Sequence, residues 1–220
     1  NELRNEFISN MTHELKTPVA TLSVALESLG KYGLINDPTA VDEYIRLASL
    51  ETKRLDSLIN RVLNQSILEQ KGTTLEIENF DINALIREIA DIMRQRLGAG
   101  GTIEFHPEEE ILNLNGDSLF LKEVVVNLID NSIKYCDKTP VIKIESKKNN
   151  GIAIISVSDN GPGIPQEYHK KIFEKFFRLP TANVHNIKGY GLGLSFASLI
   201  IRLHKGEIMV RNLNPGCSFI

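Results

Sequence analysis

The sequence predicts a two-domain protein: an all-α antiparallel helical hairpin, then an α+β sandwich with helices on one face of a mixed sheet. Three observations carry that prediction. The first seventy residues hold only two segments, both with helical periodicity. Gln70-Lys71-Gly72-Thr73-Thr74 breaks the second of them. Beyond the break, short alternating runs mix with helical ones and show no βαβ rhythm. The predicted domains are residues 1–70 and 73–220, in keeping with a prior of roughly 150 residues per domain.

In the first helix Leu3, Phe7, Met11, Leu15, Val19, Leu22, Leu26 and Leu29 recur three or four apart and form one stripe. Gly30-Lys31-Tyr32-Gly33 ends it, glycine being the usual residue just past a helix C-terminus. Asp37 is the expected N-cap of the next helix and Pro38 its first residue. Val41, Ile45, Ala48, Thr52, Leu55, Ile59, Val62 and Ser66 then make a heptad seam, softened at Thr52 and Ser66. A lone hairpin leaves much of such a stripe wet. Pairing with a second copy into a four-helix bundle would cover it; the alternative is docking on the second half of the same chain.

After the break, Leu75–Phe80 alternates like a strand, and Asp81 caps a helix through about Leu97 that ends at Gly98-Ala99-Gly100-Gly101. Short strands are expected near Thr102–His106 and Ile111–Asn115, then a helix from about Asp117 to Tyr135. Val141–Ser146 and Ile152–Asp159 read as a strand pair turned at Asn149-Asn150-Gly151. A Gly/Pro-rich loop, a short helix, an irregular stretch, a helix over about Leu192–His204 and two closing strands complete the pattern.

Composition excludes several classes. With 25 basic and 28 acidic residues the formal charge is −3, not the basic surplus of a nucleic-acid binder. Cys136 and Cys217 stand alone and far apart, which suits neither a disulfide scaffold nor a cysteine metal site and points to a reducing compartment. No apolar run approaches the roughly 20 residues of a membrane span, and Asn1–Glu6 is no signal peptide. The chain is expected to be cut from something longer.

The chemistry-bearing residues cluster. Gly161-Pro162-Gly163 and Gly189-Tyr190-Gly191-Leu192-Gly193 invite a nucleotide, because glycine lets backbone N–H groups approach phosphates. The spacing fits no dinucleotide fingerprint, no Walker A loop occurs, and the triplets of serine/threonine kinases are missing. Asn127, Asn131 and Lys134 fall at i, i+4 and i+7 of one very apolar helix. An Asn amide oxygen is a hard neutral ligand for Mg²⁺, and a lysine nearby can meet phosphates; the plain alternative is a solvated polar face. Asp159, at a strand end before a tight turn, could accept from an exocyclic amine such as adenine N6 or simply cap the turn.

His13 lies opposite the apolar stripe, with Glu14 beside it and Thr17 one turn on. Pro18 falls mid-helix, where proline costs about 3 kcal/mol, so a bend is expected near an exposed imidazole. Neutral imidazole is a nucleophile near pH 7, and a flanking carboxylate can orient it and take its proton. An incidental surface histidine is the plain alternative.

Together these segments resemble one family. Phe7-Ile8-Ser9-Asn10-Met11-Thr12-His13-Glu14-Leu15-Lys16-Thr17-Pro18 is similar to the phospho-acceptor box of bacterial two-component sensor histidine kinases. Asn127–Tyr135 resembles their N box, Asp159–Ile164 their G1 box, Phe173–Arg178 their F box and Gly189–Leu194 their G2 box. The five boxes stand in the family's order across nearly the whole chain. Ser132 stands where alanine is usual, Phe177 where tyrosine is common, and Tyr190 follows Gly189.

The resemblance implies a dimerisation and histidine-phosphotransfer hairpin followed by a catalytic ATP-binding domain of the GHKL, or Bergerat, fold. It implies that His13 accepts the γ-phosphoryl group of ATP with Glu14 as base, and that Asn131 binds Mg²⁺ while Asn127 supports the phosphates. Lys134 and Tyr135 would contact phosphate and nucleotide, Asp159 would recognise adenine, and Gly161 and Gly163 would shape the floor beneath it. Phe173 and Phe176 would anchor a lid over residues 177–188, and Arg178 would reach the γ-phosphate. Gly189, Gly191 and Gly193 would hinge that lid, with Leu194 bordering the cofactor. The implied partners are a second copy through the hairpin and a response-regulator receiver domain, with no nucleic acid and no membrane contact by this stretch. The implied setting is the cytoplasmic side of a parent anchored in the bacterial inner membrane. Glu14-Leu15-Lys16-Thr17 also fits the family's pattern for regulator dephosphorylation, with Thr17 placing a water.

Overall fold

The computed structural model describes residues 2–31, 37–69, 75–180 and 191–220. The chain divides into two compact units, Asn1–Thr73 and Thr74–Ile220. Among the described residues no helix is long and apolar enough to cross a membrane.

The first unit is two helices, α1 (Glu2–Lys31) and α2 (Pro38–Glu69). Asp37 starts α2 as its sequence context suggests. Its Oδ1 accepts from the Thr39 and Ala40 amides at 3.0 and 3.3 Å, and its carbonyl accepts from Val41 N. Helix α1 continues through Pro18, whose ring is fully buried, as is Ala25 seven residues on. The apolar stripes are wider than one neighbouring helix can cover. Along α2 Val41, Ala48 and Leu55 are half-buried, whereas Ile45 is 57% exposed. Along α1 Leu15, Leu22 and Leu29 are half-buried, while Val19 and Leu26 are 51% and 65% exposed. Each heptad seam is thus split into an edge that packs within the hairpin and an apolar edge that stays wet in the single chain.

The second unit contains a five-stranded mixed sheet ordered β2–β4–β5–β7–β6, formed by β2 (Thr102–Pro107), β4 (Val141–Asn149), β5 (Ile152–Ser158), β7 (Cys217–Phe219) and β6 (Val210–Asn212). Only β2 and β4 run parallel. Strand β4 shows why one face is covered: Ile142, Ile144 and Ser146 are buried while Lys143, Glu145 and Lys147 point to water. Helices α3 (Ile82–Leu97), α4 (Ser118–Tyr135) and α5 (Gly193–Leu203) supply the other half of the core, including the fully buried Ile86, Ile129 and Ile200. Asn150 and Gly151, with φ of 49° and 81°, make the two-residue turn that joins β4 to β5. Both sit in the left-handed region, which suits the twist of the hairpin.

A separate pair, β1 (Glu78–Asp81) and β3 (Asn113–Gly116), lies outside the main sheet. Both strands start later than the alternation suggests, because side chains intercept the backbone. The Glu76 amide donates to Asp117 Oδ2 at 3.0 Å, and the Leu112 amide to Asp81 Oδ1 at 2.9 Å. The short helix expected after the Gly/Pro loop is instead two single turns, Gln166–Tyr168 and Lys171–Phe173, ended by extended backbone at Glu174.

Asp117 is a node. It caps α4 by accepting from Phe120 N at 3.1 Å, and its own amide donates to Nε2 of His204 at the C-terminal end of α5, 2.9 Å away. Since an amide can only donate, Nε2 must be the unprotonated nitrogen and Nδ1–H must donate to the Ile200 carbonyl at 2.8 Å. A neutral imidazole therefore ties the end of α5 to the start of α4. His204→Leu should leave a buried amide unpaired and lower the unfolding free energy by about 1–3 kcal/mol in urea titration of the full chain; an unchanged midpoint contradicts the node.

Candidate functional site

Strand β5 ends at Ser158, and the next residue, Asp159, carries a carboxylate that is only 9% exposed. Among the described residues its hydrogen-bond donors are neutral. Oδ1 accepts from the amides of Gly161 at 2.9 Å and Cys217 at 3.3 Å, and Oδ2 from the Ser132 hydroxyl at 3.2 Å and the Cys217 thiol at 3.3 Å. Burial pushes the Cys217 thiol far above the usual thiol range, and the Asp159 charge and hydrogen bond push it the same way. The thiol therefore keeps its proton and donates it. Gly216 makes this approach possible: at φ +96° it lies where a Cβ would fall 1.8 Å from the Asp159 carbonyl oxygen.

Asn160 fastens the neighbouring loop. Its Oδ1 accepts from Val141 N at 2.9 Å and Cys136 Sγ at 3.1 Å, and its Nδ2 donates to the Thr139 carbonyl at 3.1 Å. The Gly161 turn passes beside the end of α4, 3.6 Å from the Tyr135 carbonyl when measured from a Cβ position. Gly163, at φ +76°, faces Asn212, whose side chain accepts from Ile164 N at 2.9 Å and donates to the Ile164 carbonyl at 2.7 Å.

Helix α4 carries Asn127, Asn131, Lys134 and Tyr135. Gly193, the first residue of α5, lies against the two asparagines, with a Cβ position 3.4 Å from Asn127 Oδ1 and 4.0 Å from Asn131 Nδ2. The start of α5 has no side-chain cap, and Leu194 is half-buried in its first turn. The exposed Lys134 is engaged on its own helix in an ion pair with Asp130 one turn back. Tyr135 is 40% exposed.

The F-box and G2-box segments meet at Phe176 and Gly191. Phe176 adopts φ +68°, its amide donates to the Gly191 carbonyl at 2.9 Å, and a Cβ on Gly191 would lie 2.7 Å from the Phe176 carbonyl carbon. Gly191 is itself left-handed at φ +65°, so it meets both demands that only glycine satisfies. Phe173 is half-buried at the end of its turn, beside the buried Ile172, and Arg178 is half-buried. Gly189 and the lid residues 181–188 lie outside the described residues. Gly193 is the first residue of α5 and a point of close approach to Asn127.

In the first unit His13 and Glu14 lie within α1, and their side chains are outside the described residues. Thr17 is exposed next to buried Pro18, its carbonyl accepting from Thr21 Oγ1 at 3.0 Å. The Lys71-Gly72-Thr73 linker is also outside the described residues.

Ser132, Cys217, Asn160, Asn212 and Gly216 escaped the sequence reading as site residues, since each acts through a partner distant in sequence. Only the Ser132 departure flagged one of them. The buried, protonated Cys217 should be inert in the native chain. A disulfide exchange reagent at pH 8 should titrate the half-buried Cys136 first and Cys217 only after unfolding; two thiols reacting at equal native rates contradicts the cage.

The geometry suits a nucleotide with its cation: a buried acceptor, an uncapped helix start, and a hard amide oxygen at Asn131. Among the described residues no group of three or more His, Cys, Asp or Glu converges. Residues 3–71 match the His Kinase A (phospho-acceptor) domain family, and residues 116–220 the histidine kinase-, DNA gyrase B- and HSP90-like ATPase family. The chain is 36% identical over 225 residues to sensor protein RprX of Bacteroides fragilis and 30% identical over 223 residues to sensor protein SrrB of Staphylococcus aureus. All of the chain aligns in both cases, but it spans only 43% and 38% of those proteins. The catalytic domain of histidine kinase ThkA is 32% identical at a TM-score of 0.59, covering 66% of this chain and 95% of that one. ThkA in complex with response regulator protein TrrA is 28% identical at a TM-score of 0.68, covering 97% of this chain and 59% of that one. With hairpin and α+β unit matched in order, the chain belongs to the sensor histidine kinases of bacterial two-component systems.

Proposed function

We propose that this chain is the ATP-dependent kinase core of its parent sensor, phosphorylating His13 and passing the phosphoryl group to an aspartate of a response-regulator receiver domain. The observation that supports it best is the double engagement of α4. Ser132 touches the caged Asp159, and Asn127, five residues earlier, lies against the open start of α5. At 1.5 Å per residue the two contacts are about 7 Å apart along the helix. One end offers an acceptor for a base amine, the other N–H donors for phosphate.

In this reading bound ATP with Mg²⁺ supplies the phosphoryl group and neutralises its charge. Asp159 accepts from adenine above the Gly161–Gly163 floor. Asn131 holds Mg²⁺, and Asn127 and the α5 amides steady the phosphates. Phe173 and Phe176 anchor the lid, and Arg178 reaches the γ-phosphate. A ring nitrogen of His13 forms the N–P bond as the β,γ-bridging P–O bond breaks, and Glu14 takes the imidazole proton. Lys134, paired with Asp130 one turn back, would offer its remaining ammonium donors to the phosphates. Thr17 would place a water for regulator dephosphorylation, and the parent would be anchored in the inner membrane.

Dimerisation is supported by the open apolar edge of the hairpin at Val19, Leu26 and Ile45. Ile45→Lys, which puts a charge on that edge, should raise the dimer dissociation constant about tenfold or more in sedimentation; an unchanged constant would remove the edge from the interface. For the kinase itself, γ-labelled ATP with Mg²⁺ should give an acid-labile, alkali-stable label on the wild-type chain and none on His13→Gln. Equal labelling of both ends the proposal.

A further inference from the structure

Asp159 has more donors than a turn cap needs, and they are unequal. The two on Oδ1 are backbone amides, which fix the plane of the carboxylate. The two on Oδ2 are a hydroxyl at 3.2 Å and a thiol at 3.3 Å. The thiol is a weak donor held at one place by strand β7. The hydroxyl is a rotor that donates in any direction about its C–O bond, and here it points at Asp159 Oδ2. Oδ2 with Ser132 Oγ is therefore an acceptor and a switchable donor side by side, on the residue next to Asn131.

That pair is complementary to the Watson–Crick edge of adenine, where an exocyclic amine donor adjoins the ring-nitrogen acceptor N1. Guanine presents the reverse order, a carbonyl oxygen beside an N1–H, and would set its oxygen against the Asp159 carboxylate. The alanine usual at this position in the resembling family carries no donor. We propose that Ser132 is a base-reading residue in this chain, its hydroxyl turning from Asp159 Oδ2 to adenine N1 as the amine takes its place on the carboxylate. The inference rests on the nucleotide site proposed above and adds a second reading element to it. The step is an exchange of hydrogen bonds: the carboxylate gives up the hydroxyl and gains the amine, and N1 gains the hydroxyl.

The test is a binding cycle by calorimetry on the full chain, without turnover, comparing ATP with 1-deaza-ATP, which keeps the amine and lacks the N1 acceptor. Ser132→Ala should bind ATP about three- to tenfold more weakly than wild type, the range for one neutral hydrogen bond. Wild type should lose a similar factor with 1-deaza-ATP, and Ser132→Ala should show no further loss with that analogue. Ser132→Thr, which retains a hydroxyl, should restore most of the ATP affinity. The inference is overturned if Ser132→Ala binds ATP as wild type does, if it loses the same factor with both nucleotides, or if threonine fails to rescue in a chain whose urea midpoint is intact. Failure of the underlying site looks different: wild type would bind no ATP, or Asp159→Asn would leave ATP affinity untouched.

Discussion

A buried carboxylate must be satisfied by hydrogen-bond donors, and at Asp159 the described donors are neutral and come from three separate pieces of chain. The turn supplies Gly161 N, strand β7 supplies the amide and thiol of Cys217, and helix α4 supplies the Ser132 hydroxyl. Removing one leaves charge without compensation in a low-dielectric place, which is costly. The arrangement also demands a residue without a side chain at position 216, where a Cβ would collide with the Asp159 carbonyl at 1.8 Å. Asn160 extends the constraint to the exit of α4 through Cys136, Thr139 and Val141. The end of one strand thus sets the azimuth of α4, and Asn131 inherits its place because it neighbours Ser132.

At the other end of the site the glycines serve distinct physical needs that the word flexible would hide. Gly191 combines a left-handed conformation with backbone contact too close for any Cβ, and its partner Phe176 is left-handed as well. A side chain in that conformation is uncommon and persists only where its surroundings enforce it. The hydrogen bond donated by the Phe176 amide to the Gly191 carbonyl helps hold it here. Gly193 is ordinary helix, and its missing side chain lets Asn127 come up to the first turn of α5. A backbone hydrogen bond therefore joins the F-box and G2-box stretches, while the N box meets α5 through side-chain amides.

Local signals were legible and long-range pairings were not. The caps at Asp37 and Asp81, the turn at Asn150-Gly151 and the apolar character of β4 and α4 all follow from chemistry within a few residues. The two units and the five boxes were readable for the same reason. Ser132 and Asp159 are 27 positions apart, Asp159 and Cys217 58, and Asp117 and His204 87. Those pairings depend on the strand order β4–β5–β7–β6, which periodicity does not encode. His204, to which the sequence assigns nothing, proves to be the tie between α5 and α4. Lys134 adds a detail that spacing alone does not carry: it pairs with Asp130 one turn back on the same helix. Strand starts shifted where Asp117 and Asp81 took the amides of Glu76 and Leu112.

The phospho-acceptor helix shows how one segment can serve packing and chemistry together. Successive positions on a helix are about 100° apart, so residues 17, 18 and 19 point in three directions. Thr17 is exposed, Pro18 is buried within the hairpin, and Val19 is apolar and 51% exposed. One direction is wet and polar, one is the core of the single chain, and one is the apolar edge that a second copy would cover. Position 13, four residues before Thr17, falls by the same period on the Thr17 side. A proline inside a helix forfeits a hydrogen bond, and the burial of its ring on the inward direction offsets part of that loss. The same choice leaves the outward direction without apolar side chains to cover it. A polar side chain stays exposed to solvent on such a helix only if packing takes the other directions, and at positions 17–19 the inward and the apolar edges of the split heptad leave Thr17 outside.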